Sequence, residues 1–391
     1  VKYPRLDIDC SKIHHNAQRL ISQLSLKNIS VTPVTKVFLG NPIIAQVLVD
    51  AGAEMFADSR VENIQKMRQA GISVPKMLIR TPMLSQAASV VRCCEISLNT
   101  EVTVIQRLSN VAKQSNINHG IIIMVELGDL REGVMPNRVI AFIDKIISLP
   151  NIIIRGIGTN LACRYGVAPD DTKMELLSNL ANEIEAIFGI NLDVISGGNS
   201  ASIHWALNYT GRTRVNNLRI GEAIYLGCEP LTKDKIEGLY TDAITLTAEV
   251  IESKIKPSLP CGVRGGNAFG EKENISNKGS VSQIILALGR QDVCVTGLSA
   301  PDGTKIVSST SDHLIMETSG APLLVGQKID FNLDYSALLS CMSSAHIHHS
   351  YNSLSDLLPK KEINDTDDNS KTNHTIHQCY SERLSVKPDS N

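Results

Sequence analysis

The chain has 391 residues, 42% of them hydrophobic and 20% charged, a globular composition with too much apolar material for a disordered protein. Its 38 basic and 40 acidic residues leave a formal charge of −2, and aromatics make up only 4%. Neither the basic excess of a nucleic-acid or anionic-membrane binder nor the stacking surface of a single-strand binder is present.

The opening VKYPRLDID has no apolar stretch behind its basic residues, so it does not read as a signal peptide. No run reaches the roughly eighteen apolar residues of a membrane span. Nine scattered cysteines, none in a C-x-x-C pattern, read as reduced thiols, and a cytoplasmic protein is expected. LDID (6–9) is a candidate strand, and IHHNAQRLISQL (13–24) a helix ahead of the first repeating unit. Short apolar runs then alternate with amphipathic ones up to about residue 225. The strand candidates are VTPVTK (31–36), EMFADS (54–59), KMLIRT (76–81), CEISLN (94–99), IIIMVEL (121–127), IIIRGIGTNL (152–161), NLDVIS (191–196) and NNLRIG (216–221). The helical stretches at 41–53 and 60–71 end at or near glycines, a common helix stop. Eight such units are the arithmetic of a (β/α)8 TIM barrel, with a doubly wound open sheet as the alternative.

From about residue 240 the texture becomes β-rich, in ITLTAEVIES, SVSQIILALG, QDVCVTGL, TKIVSS, HLIMET and KIDFNLDY, with turns such as APDGT between them. The expected organisation is a barrel over 1–235, an all-β domain over 236–351 that residues 6–9 join, and a disordered tail over 352–391. His346, His348, His349, His374 and His377 match no closed metal-site spacing.

In a barrel, chemistry sits at the C-terminal ends of the strands, and phosphate favours the loops after strands seven and eight. Strand seven here runs into ISGGNSAS (195–202), and strand eight into RIGEA (219–223). Their glycines, with Asn199 and Ser200, can form a phosphate cradle, although GGNS alone is also a common tight turn. Lys36 at the end of strand one reads either as a paired barrel cation or as a desolvated, nucleophilic amine. An amine and an anion clamp in one mouth are what pyridoxal phosphate needs, and Arg219 supplies a third element.

Several stretches carry a specific resemblance: YPRLDID (3–9), VTK (34–36), ADSRVENIQKMR (57–68), LGDLREG (127–133), GIGTNLAC (156–163), ISGGNS (195–200), NNLRIGEAI (216–224), LALGRQDV (286–293), SSTSDHLIM (308–316) and LDYSALLSCM (333–342). Over residues 3–350 the chain resembles the fold-type III pyridoxal phosphate enzymes, the alanine racemase family, and most of all their ornithine racemase branch. The resemblance implies a TIM barrel followed by a β domain. It also implies racemisation of ornithine or a related basic amino acid, and a head-to-tail homodimer. It makes Lys36 the lysine that holds the cofactor and removes the α-proton on one face. Ser200, Gly221, Glu222 and Tyr335 match phosphate-binding positions, the glycine and glutamate through their main-chain amides. Arg219 matches the arginine at the pyridine nitrogen. A guanidinium only donates, so that nitrogen stays unprotonated, which favours simple proton exchange over transamination. Arg131 matches an arginine near the substrate carboxylate.

Two departures accompany the match. Alanine racemases carry a tyrosine four residues beyond the lysine, where this chain has Gly40. Their second-face base, also a tyrosine, aligns with Val263, which moves no proton. Asp312 aligns near a segment supplied by the partner subunit, with a role in proton transfer or substrate binding; His313 and Cys261 lie close in sequence. Asp292, Asp312 and Glu132 are candidate partners for a distal ammonium. The competing readings are a carrier that binds pyridoxal phosphate without turnover, and a fold-type III enzyme of other specificity, such as an alanine racemase or a decarboxylase using Cys341 or Cys261.

Overall fold

The computed structural model describes residues 2–272, 275–319 and 323–352; the proposed tail lies outside the described residues. The chain opens with strand β1 (Arg5–Asp9) and helix α1 (Cys10–Ser25). Asp9 caps α1 by accepting the Lys12 amide at 3.1 Å. Ile13, Ala17, Leu20 and Leu24 repeat at helical spacing and are buried.

Eight short strands follow: β2 (Ser30–Pro33), β3 (Phe56–Asp58), β4 (Lys76–Leu78), β5 (Ile96–Asn99), β6 (His119–Met124), β7 (Ile152–Gly158), β8 (Val194–Ser196) and β9 (Asn217–Ile220). Between and after them run α2 (Pro42–Asp50), α3 (Val61–Gln69), α4 (Ala87–Cys93), α5 (Val102–Gln114), α6 (Val139–Asp144), α7 (Asp171–Phe188), α8 (Ile203–Asn208) and α9 (Glu222–Leu226). All neighbouring strands pair in parallel, in the order β2-β9-β8-β7-β6-β5-β4-β3. The remaining seam closes through a single bridge between Val34 and Ala57. The sheet is therefore a barrel, as the eight-unit count predicts. Strand β6, HGIIIM, is buried at every position, as a parallel strand sandwiched between barrel interior and helices must be. Ala57, Met77, Ile96, Leu98, Ile122 and Met124, all on β3 to β6, form one apolar cluster.

The second sheet comprises β10 (Ile244–Pro257), β11 (Ser280–Leu286), β12 (Leu298–Ser299), β13 (Thr304–Ser309), β14 (Leu314–Thr318), β15 (Lys328–Leu333) and β16 (His348–Asn352), together with β1. Its order is β12-β15-β10-β11-β14-β13, antiparallel throughout. Strand β1 adds antiparallel to β10 and parallel to β16.

The segment after residue 240 departs from an all-β reading in two places. In QDVCVTGL (291–298) Val295–Gly297 form a 3-10 turn, and only Leu298 is paired, with Ser299 just beyond it. LDYSALLSCM is a helix, α10 (Tyr335–Ser343), capped by Asp334 through the Ala337 amide at 2.8 Å. Among the described residues no group of His, Cys, Asp and Glu is arranged to hold a metal ion, and no helix is long and apolar enough to cross a membrane.

Candidate active site

A cavity of about 810 Å³ opens at the C-terminal ends of the barrel strands, roofed on one side by the start of α10. Lys36, Arg131, Asn199, Ser200, Arg219, Gly221, Glu222 and Tyr335 all border it, although they come from the segments after β2, β6, β8 and β9, from β9 itself and from α10.

Lys36 lies three residues past the end of β2, at the first position of a 3-10 turn (Lys36–Phe38), rather than within the strand. Val34 N–H bonds to Ile220 O of β9 at 2.8 Å and Thr35 N–H crosses the seam to Ala57 O of β3 at 2.9 Å, so strands on both sides fix the backbone leading into the lysine. The Thr35 hydroxyl donates to Asp58 at 2.8 Å. Lys36 Nζ stands 5.3 Å from the centre of the Tyr335 ring. Burial raises the Tyr335 phenol above its ordinary value, and the lysine charge works against that rise. Behind Lys36, the Tyr225 hydroxyl donates to Val34 O at 2.8 Å, and its ring meets Phe38 edge-on at 4.7 Å. The departure at Gly40 has a steric cause. Its φ is +61°, and a Cβ there would stand 2.5 Å from the Asn63 carbonyl oxygen.

Arg219 is 3% exposed and sits in a polar chain that crosses the barrel interior beneath the cavity. It donates to Ser196 Oγ and to Thr159 O, the latter at 2.8 Å. Ser196 in turn donates to Asn217 Oδ1 at 2.7 Å, and Asn217 Nδ2 reaches Thr32 Oγ1 at 2.9 Å. Burial, with help from nearby Arg131, pulls its pKa down to about 10, which leaves it a cation and a pure donor at neutral pH.

On the opposite wall, Ser200 Oγ accepts main-chain N–H bonds from Gly221 at 3.3 Å and Ala223 at 3.2 Å. The family resemblance implies amide donors at Gly221 and Glu222; the amides that meet Ser200 Oγ here are those of Gly221 and Ala223, and the Glu222 carboxylate pairs with Lys233 at 2.8 Å. Asn199 serves the loops. Its Oδ1 accepts the Ala201 amide at 2.9 Å, and its Nδ2 donates to Leu161 O at 2.8 Å and Asn160 Oδ1 at 3.2 Å.

The loop after β6 carries Arg131, whose guanidinium pairs with the adjacent Glu132. Asp129 in that loop accepts the amides of Cys163 at 3.1 Å, Arg164 at 2.9 Å and Tyr165 at 3.0 Å, stitching it to the loop after β7. Sequence reasoning missed Asp58, Asp129 and Arg80, a cation on the cavity wall after β4.

Asp312 borders no part of this cavity within one chain. It lies between β13 and β14, where Gln291 Nε2 donates to it at 2.7 Å. Asp292 is 7% exposed and accepts the Gly289 amide at 2.9 Å, also away from the cavity. Val263 and Cys261 are exposed on the connection between β10 and β11, and Cys341 is buried in α10.

A (β/α)8 barrel with an appended antiparallel sheet is the fold this chain shares with solved alanine racemases. Residues 8–229 match the family described as alanine racemase, N-terminal domain. The lysine racemase of Thermotoga maritima is 35% identical over 89% of this chain and 98% of its own length. The ornithine racemase of Acetoanaerobium sticklandii is 36% identical over 88% of this chain and 98% of its own. In three dimensions, the alanine racemase of Streptomyces lavendulae superposes with a TM-score of 0.70 at 14% identity, covering 91% of this chain and all (100%) of the other, a likeness of fold. The chain belongs to the alanine racemase family, and it is a racemase of that family.

Proposed function

We propose that the chain is a pyridoxal phosphate-dependent racemase that interconverts the enantiomers of ornithine or a closely related basic amino acid. The observation that carries this reading is the convergence of Lys36, Arg219, Tyr335 and Ser200 on one cavity. The site's chemistry fits the cofactor. Ser200 Oγ gathers two main-chain donors at one point, as an anion cradle requires, and a buried donor-only cation lies at the cavity floor. Ser200, the amides beside it and Tyr335 would hold the phosphate, Lys36 the aldehyde carbon, and Arg219 the ring nitrogen. When bound, pyridoxal phosphate supplies an electron sink that acidifies the α-C–H of an attached amino acid.

The protein's own groups do the rest. Lys36 Nζ would handle the α-proton on one face only, removing it from one enantiomer and, in the reverse direction, delivering a proton to form that enantiomer. Arg219, unable to accept a proton, keeps the sink weak and the chemistry confined to proton exchange. Arg131 meets the substrate carboxylate. With Val263 aprotic and exposed, the opposite face needs a group from outside the single chain, and a head-to-tail second copy supplies Asp312 for it. The relatives named for lysine and ornithine support a basic substrate.

The test is α-proton exchange in heavy water with product chirality read out, across ornithine, lysine, arginine, alanine and serine. Exchange with racemisation confined to a basic amino acid is the expected result. Bound cofactor with no exchange on any of them would leave a carrier instead.

A further inference from the structure

Two carboxylates, Glu132 and Glu222, border the cavity among five cations: Lys36, Arg80, Arg131, Arg219 and Lys233. Such an excess suits a phosphate and a substrate carboxylate, but it repels a second ammonium unless a carboxylate is placed to receive it. Glu222 is already paired with Lys233 at 2.8 Å. Glu132 forks onto Arg131, and the two head groups remain partly open, 28% and 40% exposed.

The backbone beneath this pair is held hard. Glu126 accepts the amides of Gly128 at 2.6 Å, Leu130 at 2.9 Å and Arg131 at 3.2 Å. Gly133 has a φ of +156°, and a Cβ there would stand 2.5 Å from the Glu126 nitrogen, so the loop is pressed against its own strand. Two opposite charges at consecutive positions are thus fixed at the mouth, while Asp292 borders no part of the cavity and Asp312, which reaches a site only from a second copy, is already given to the opposite face of the α-carbon.

We propose that Glu132 is the specificity residue that reads the side-chain ammonium of a basic amino acid, while Arg131 takes its α-carboxylate. The proposal rests on the racemase reading above. A diamino acid exchanges the Arg131–Glu132 contact for two contacts with the substrate, so each charge keeps an opposite partner. A neutral amino acid of the same length satisfies Arg131 and leaves Glu132 with a displaced or weakened partner, which selects against it.

The experiment compares kcat/KM for α-proton exchange on ornithine and on norvaline, which has the same chain length without the ammonium. Glu132→Gln is expected to lower the ornithine-to-norvaline ratio by about 100-fold, mostly through the KM for ornithine. Glu132→Asp, which keeps the charge on a shorter arm, is expected to lower it less. A ratio unchanged in both variants, with the wild type still preferring ornithine, overturns the assignment of Glu132 and leaves the racemase reading standing. A wild type that exchanges no basic amino acid overturns both.

Discussion

The Thr35 hydroxyl donates to the Asp58 carboxylate at 2.8 Å, across the one seam of the barrel that has no strand ladder. Asp58 is fully buried and also accepts from Asn63 Nδ2 at 3.0 Å and the Arg60 amide at 2.9 Å. It therefore ties the residue before Lys36 to the entry of α3.

Replacing Asp58 with alanine removes the acceptor shared by the Thr35 hydroxyl, Asn63 Nδ2 and the part-buried Arg60 amide. Stability should fall by about 2–4 kcal/mol, measured by chemical denaturation. Burial raises the Asp58 carboxyl above its ordinary value despite those donors. The folded state then holds that proton more readily than the unfolded state. Its contribution to stability thus declines as pH rises from about 4 through the folded value. Asp58→Asn should remove that slope, and an unchanged slope would assign it elsewhere.

His119 should impose the opposite dependence. Burial lowers its pKa to about 4, and its Nε2 meets Ser97 Oγ at 2.7 Å. Between about 4 and 6.5 the unfolded chain binds a proton that the folded chain refuses. Stability from this residue is complete above that window and is lost as pH falls through it, by on the order of 3 kcal/mol. His119→Gln should flatten denaturation midpoints measured between pH 4.5 and 7.

Asp129 predicts a division between affinity and rate. Burial acts upward on its carboxyl, but the Tyr165, Arg164, Val167 and Cys163 amides outweigh it and hold the pKa below the ordinary range. Its hold on the two loops is present above about pH 4 and weakens as pH falls below that. Asp129→Ala should loosen Arg131 together with the loop after β7, raising substrate KM about tenfold with a smaller change in kcat. Equal losses in both constants would mean that the loops also order the reacting groups.

Lys36 gives the plainest test of the cofactor reading. Lys36→Ala should abolish the visible absorbance of lysine-bound pyridoxal phosphate and all α-proton exchange. A band that survives the substitution would move the attachment to another lysine.

Much of this architecture was legible in the sequence. The eight strand candidates each contain the observed strand or most of it, because a buried parallel strand announces itself as an apolar run whatever its neighbours do. The misreadings sit where tertiary contacts override local preference. QDVCVTGL has β-branched residues, but Asp334 N–H bonds to Gly297 O at 2.8 Å and draws the segment into a turn at the head of α10. The Asp334 cap was itself a readable helix start. Lys36 and Arg219 stand at strand ends that the eight-unit count marks as the barrel mouth, and Tyr335 is picked out by the family resemblance. Asp58, Asp129 and Glu126 are not picked out, since each acts as an acceptor for loop groups. Glu126 takes amides two to five residues on, Asp58 the Arg60 amide and the Thr35 and Asn63 side chains, and Asp129 amides 34 to 36 residues away, and no periodicity records such partnerships.

The parallel pairing of β1 with β16 joins residues 5–9 to residues 348–352, the two extremes of the described chain. Synthesis runs from one to the other. The barrel strands are all made by Ile220, yet β1 has no partner until β10 emerges, and its other edge stays open until β16 does. Tyr335 belongs to that same last stretch. The ribosome thus delivers all eight barrel strands well before Tyr335, so a nascent chain passes through a stage in which Lys36 has been made and the tyrosine that faces it has not.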